Sequence, residues 1–102
     1  MGDMYVVQVV AYFKKGLDKE ECQNAIEALE DVLQFDLKVM GDAERGFESH
    51  TVKFLDNLQN FEPDDVLPAV KRVMHDDRVR ILDYILWEMD TEEPDFRLTK
   101  TE

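Results

Sequence analysis

Val79-Arg80-Ile81-Leu82-Asp83-Tyr84-Ile85-Leu86-Trp87-Glu88-Met89 is the densest apolar run in the chain, and whether it is strand or helix decides the fold. A strand buried on one face alternates apolar and polar side chains. Here Leu82, Tyr84 and Leu86 fall on one side, while Val79, Ile81, Ile85 and Trp87 fall on the other. Both faces are therefore apolar. Leu82, Ile85, Leu86 and Met89 also fit a helical period, so a helix over 78–89 is the rival reading. The β-branched and aromatic residues Ile81, Tyr84, Ile85 and Trp87 favour the strand.

A second segment shares this two-faced character. Met4 to Phe13 reads as a strand rich in valine, with Val7, Val9, Ala11 and Phe13 on one face and Val6, Gln8, Val10 and Tyr12 on the other. Lys14-Lys15-Gly16 ends it. Asp18 then caps a helix running to Leu33, with Glu21 three residues on in a capping-box pattern and Leu17 placed to staple against Cys22. Cys22, Ala25, Ile26, Leu29, Val32 and Leu33 recur at spacings of three and four and form its apolar stripe. Glu20, Glu27, Glu30 and Asp31 lie on the outward side and make it strongly negative.

Phe35, Leu37 and Val39 alternate with polar or flexible side chains as a short strand, and Gly41 to Gly46 has the composition of a hairpin connection. Thr51 to Leu55 continues as a third strand that begins near Phe47. Residues 57–62 read as a linker. Pro63-Asp64-Asp65 opens a second helix, with regular structure expected nearer Asp65 because Pro68 would otherwise lie inside it. Val66, Val70, Val73 and Met74 give its stripe, and Lys71, Arg72 and His75 suit its C-terminal end.

The order strand, helix, strand, strand, helix, strand predicts an α+β fold of ferredoxin-like βαββαβ type, a four-stranded antiparallel sheet with two helices on one face. Residues 1–90 form a single domain, and 91–102 read as an acidic, flexible tail. In layout and length the chain resembles small ribosomal S6-type proteins, from the first strand through the Pro63-Asp64-Asp65 helix start. No functional residue carries over from that likeness.

Such a sheet leaves one face without helices. Val6, Val10 and Tyr12 of the first strand would meet Ile81, Ile85 and Trp87 of the last in an apolar patch there, larger than solitary exposed residues explain. Three occupants are open: the tail folding back with Phe96 and Leu98, a second copy of the chain, or another protein.

The chain carries 24 acidic against 12 basic residues, a formal net charge of −12. It is repelled by phosphate and by anionic membranes and attracted to basic surfaces, so direct nucleic-acid binding and membrane binding are not expected. Arg45-Gly46-Phe47 and Val52-Lys53-Phe54 echo an RNA-recognition motif, but Ser49 and Thr51 stand where a stacking aromatic is needed. With one cysteine, Cys22, no internal disulfide can form, and no run of 18 apolar residues occurs. A cytoplasmic protein is the expectation.

Catalytic residues are poorly supplied. Ser49 and His50 are neighbours that would point to opposite faces of a strand, and Cys22 belongs to a core stripe. His75-Asp76-Asp77 and Asp64-Asp65 lie at opposite ends of one helix and cannot share an ion. No catalytic residue, metal or cofactor is expected. The reading is a non-enzymatic protein-binding module of inhibitor, immunity-type or regulatory character. It engages a basic partner through Glu20, Glu27, Glu30 and Asp31, possible as a nucleic-acid mimic, and dimerises through the sheet. The alternative is a small-ligand-binding or enzymatic dimer whose pocket would draw on Gln8, Asp83 and Tyr84.

Overall fold

The computed structural model describes residues 4–55, 63–94 and 96–101. Its elements are β1 (Tyr5–Phe13), α1 (Lys19–Leu33), β2 (Val39–Asp42), β3 (Gly46–Leu55), α2 (Pro63–Met74), β4 (Val79–Glu88) and β5 (Phe96–Lys100). The deciding stretch is a strand, not a helix. The fold is α+β, with an open antiparallel sheet of five strands in the order β2-β3-β1-β4-β5.

The expected four strands are thus joined by a fifth, and this corrects two expectations together. Within the segment read as a flexible tail, Phe96–Lys100 pairs along β4, with Phe96 opposite Leu86 and Leu98 opposite Tyr84. Consequently β4 lies inside the sheet, not at its edge. Lys100 Nζ donates to the carbonyls of Val79 at 2.6 Å and Asp76 at 3.3 Å and ties the new edge to the α2–β4 turn. In that turn Arg78 grips the Asp76 carboxylate through Nη2 at 2.6 Å and Nε at 3.0 Å.

Alternation on β1 sorts the two faces. Val7, Val9, Ala11 and Phe13 join Leu82, Tyr84 and Leu86 of β4, Ile26, Leu29 and Leu33 of α1, and Val70 of α2 in one core. Both helices therefore cover the same side. Asp18 caps α1 as its sequence implies, its Oδ1 accepting the Glu21 N–H at 2.8 Å. The helix ends at Gln34, whose left-handed backbone (φ 64°) turns the chain.

Two boundaries differ from expectation. Ladder pairing in β2 begins at Val39, not Phe35, because Leu37 is held from a loop: its N–H donates to Glu30 Oε2 at 2.9 Å. In α2 the helix starts at Pro63 and runs through Pro68, forgoing the one intrahelical bond that a proline nitrogen cannot donate. The linker read at 57–62 lies outside the described residues. Within β2, opposite Phe47 of β3, Gly41 is required: φ is +98°, and a Cβ there would stand 2.6 Å from the Gly46 carbonyl oxygen.

Candidate protein-docking face

The helix-free side of the sheet is assembled row by row from the strand registers. Phe54, Val6 and Trp87 stand across β3, β1 and β4 in one row, and Val52, Gln8 and Ile85 in the next. His50, Val10 and Asp83 follow, then Glu48, Tyr12 and Ile81. All six residues expected on this face, Val6, Val10, Tyr12, Ile81, Ile85 and Trp87, are brought together here.

Their exposure is uneven. Val6 is only 4 % exposed, flanked by Phe54 and Trp87, so it supports the surface more than it presents it. The open part lies instead toward β3 and β2, where Val52, Phe54 and Met40 are 53 %, 58 % and 44 % exposed. These three were not among the expected site residues. The signal for them was the alternation Val52-Lys53-Phe54, but only the register with β1 shows which set faces away from the helices.

Phe96 and Leu98 do not cover this face. They extend the core side of the sheet and pack against the core, which removes the first of the three possible occupants. The preceding turn does approach it: Thr91, Glu92 and Pro94 wall a shallow groove of about 260 Å³ with Gln8, Ile85, Trp87 and Arg97.

Two carboxylates on the face have neighbours there. Thr99 donates to Asp83 Oδ1 at 3.0 Å, and Arg97 Nη2 lies 3.4 Å from Asp83 Oδ2. His50 Nε2 is 3.7 Å from Glu48 Oε1, and its ring meets Tyr12 edge-on at 5.4 Å. Of the three polar residues named for a small ligand, one is not on this face. Gln8 and Asp83 are on this face, but Tyr84 points into the core at 2 % exposure. Burial raises its phenol well above the ordinary tyrosine range, and its hydroxyl has no hydrogen-bond partner.

The acidic surface is a separate feature in the helix layer. α1 holds Glu20, Glu21, Glu27, Glu30 and Asp31 against one basic residue, Lys19. Glu20, Glu27 and Asp31 are exposed, whereas Glu30 is committed to the Leu37 N–H. Near the helix C-terminus, Glu27, Glu30, Asp31 and Asp36 line a shallow hollow with Gln34 and Phe35.

The remaining chemistry-bearing residues do not converge. Ser49 is fully buried on the core side while His50 stands on the open side. Cys22 is 2 % exposed and burial pushes its thiol up. The Asp76 carboxyl is held below its usual range by the Arg78 guanidinium. Among the described residues, no group of three or more His, Cys, Asp or Glu side chains could hold a metal ion, and no helix is long and apolar enough to cross a membrane. No protein-family model, curated protein or solved structure matches the chain.

Proposed function

We propose that this chain is a non-enzymatic protein-binding module of inhibitor or regulatory type, acting in the cytoplasm. The observation that carries the reading is the helix-free sheet face, where Val52, Phe54 and Met40 stand open beside Tyr12, Ile85 and Trp87. An apolar surface of this extent marks a contact with another macromolecule. Within this reading the chain is a ferredoxin-like unit carrying one added edge strand, a description supported by the order β2-β3-β1-β4.

The partner class follows from the helix layer. Glu20, Glu27 and Asp31 project from α1 in a chain of net charge −12, so the partner has a basic surface. Such charges act mainly on the association rate and on partner choice. The test is the binding of the basic protein recovered with the native chain. Its on-rate should fall steeply with added salt, and Glu20→Lys, Glu27→Lys and Asp31→Lys together should abolish the salt dependence. An on-rate indifferent to salt would remove α1 from the reading.

A further inference from the structure

We infer that the helix-free sheet face is occupied by a second copy of this chain, packed sheet to sheet about a two-fold axis, with the α1 surfaces left outward for the basic partner. The inference rests on the protein-binding reading and deepens it by naming what covers the sheet.

Charge placement selects this occupant. The open face carries few ionisable groups, and the central one, Asp83, is answered within the face by Arg97 and Thr99. A basic partner would find its complement on α1, with five carboxylates to one lysine, and not on Val52, Phe54 and Tyr12. An apolar face so sparsely charged suits a surface of the same composition.

The net charge of −12 opposes self-association in general but not in this geometry. With layers on the order of 10 Å apart, the helices of two face-packed copies are separated by roughly 30 Å. That is several times the screening length of about 8 Å at physiological ionic strength. Pairing through the helix layer would bring the two acidic surfaces into contact.

The area is adequate. The five strands hold 38 residues, which at about 4.8 Å by 3.4 Å each give a plan of roughly 600 Å², before the relief of the side chains is added. A stable interface needs about 800 Å² per partner. Because the turn at Thr91–Pro94 crowds the Trp87 end, the axis passes nearer β3, through Val52 and Phe54. An interface on a two-fold axis places each of these residues against the same patch of the other copy.

Light scattering on the eluting full-length chain, at concentrations up to about 100 µM, tests this well above the micromolar end of interfaces of this size. The expected mass is twice 12.0 kDa, or 24.0 kDa. Raising salt from 0.1 M to 1 M should change the dimer dissociation constant by no more than about threefold. Val52→Asp and Phe54→Asp should each weaken the dimer by about 30-fold or more. Both residues are already solvent-exposed, so unchanged circular dichroism and a cooperative melt, at a midpoint lowered only by the lost association, confirm that the variants fold. The α1 charge reversals should leave the mass at 24.0 kDa.

A monomeric wild-type chain would overturn the second copy, while the salt test on the basic partner still decides the α1 reading independently. A dimer that survives Phe54→Asp, or one lost on reversing the α1 charges, would overturn the face-to-face arrangement.

Discussion

Glu30 Oε2 accepts a hydrogen bond from the Leu37 backbone N–H at 2.9 Å, closing the turn that follows α1 from one side chain of the helix. Leu37 is 9 % exposed, so its N–H would otherwise be left in a poorly solvated place. Glu30→Ala should cost about 1.5 kcal/mol, the low end of the range for a bond to a charged group because Glu30 is only partly buried. Glu30→Gln keeps an acceptor and should lose about half as much. The urea midpoint at constant slope measures it. Glu27→Gln, on the same face without such a bond among those described, should leave the midpoint within about 0.5 kcal/mol.

Tyr84 carries the opposite defect, a buried hydroxyl without a partner. Tyr84→Phe removes that group at nearly constant volume and should stabilise the fold by about 1 kcal/mol. The sign of the pH effect follows from the raised phenol. Its contribution is fully present below the unfolded value of about 10 and is lost as pH rises from there toward the higher folded value. The wild-type chain should therefore lose stability above about pH 10 faster than Tyr84→Phe, as read by thermal melts across that range. Parallel losses in the two proteins would sink the idea.

Asp76 and Arg78 set an acid-side dependence. The paired guanidinium lowers the Asp76 carboxyl, so its stabilisation is present above the unfolded value of about 3.9 and is lost as pH falls through the folded one. Arg78 is 36 % exposed, so solvent screening limits the pair to about 1 kcal/mol. Asp76→Asn should show that deficit at neutral pH. The gap to wild type should close in acid.

How much of this was legible in the sequence depends on how local each relationship is. The cap at Asp18, the stripe of α1 and the two faces of β1 follow from spacing within one element, and each appears where the residues place it. β5 was not legible. Five residues after Asp90-Thr91-Glu92-Glu93-Pro94 read as the end of a solvated tail, and their strand exists because Phe96 and Leu98 meet Leu86 and Tyr84 across a turn. Likewise, the alternation of Val52 and Phe54 was visible, but its face was fixed only by pairing with Gln8 and Val6. The acidic side of α1 was correctly placed outward, yet spacing could not reveal that Glu30 serves the chain itself.

The edge position of β5, paired with β4 alone, predicts its energetics. Leu98 lies opposite Tyr84 and only partly buried, so Leu98→Ala should cost about 1–2 kcal/mol, below the full core value. Leu98→Asp should detach the strand. Hydrogen exchange would then show β5 amides losing protection, followed by those β4 amides that it covers, while β1 and β3 remain protected. Uniform loss across the sheet would mean that β5 belongs to the same cooperative unit as the core.

Asp31 separates stability from recognition. It sits in the last turn of α1, which contains no basic residue to offset the partial negative charge of the helix end. Glu27, Glu30 and Asp36 line the same hollow, so the arrangement is unfavourable to the helix by both its dipole and its neighbours. Asp31→Lys should therefore raise stability by about 0.5 kcal/mol at low ionic strength, a gain that salt diminishes. If α1 meets a basic partner, the same substitution should slow association with it. A variant that melts higher yet binds more slowly would locate the cost of that acidic surface in the fold and its benefit in binding. A variant that melts lower would show that Asp31 holds α1 in place.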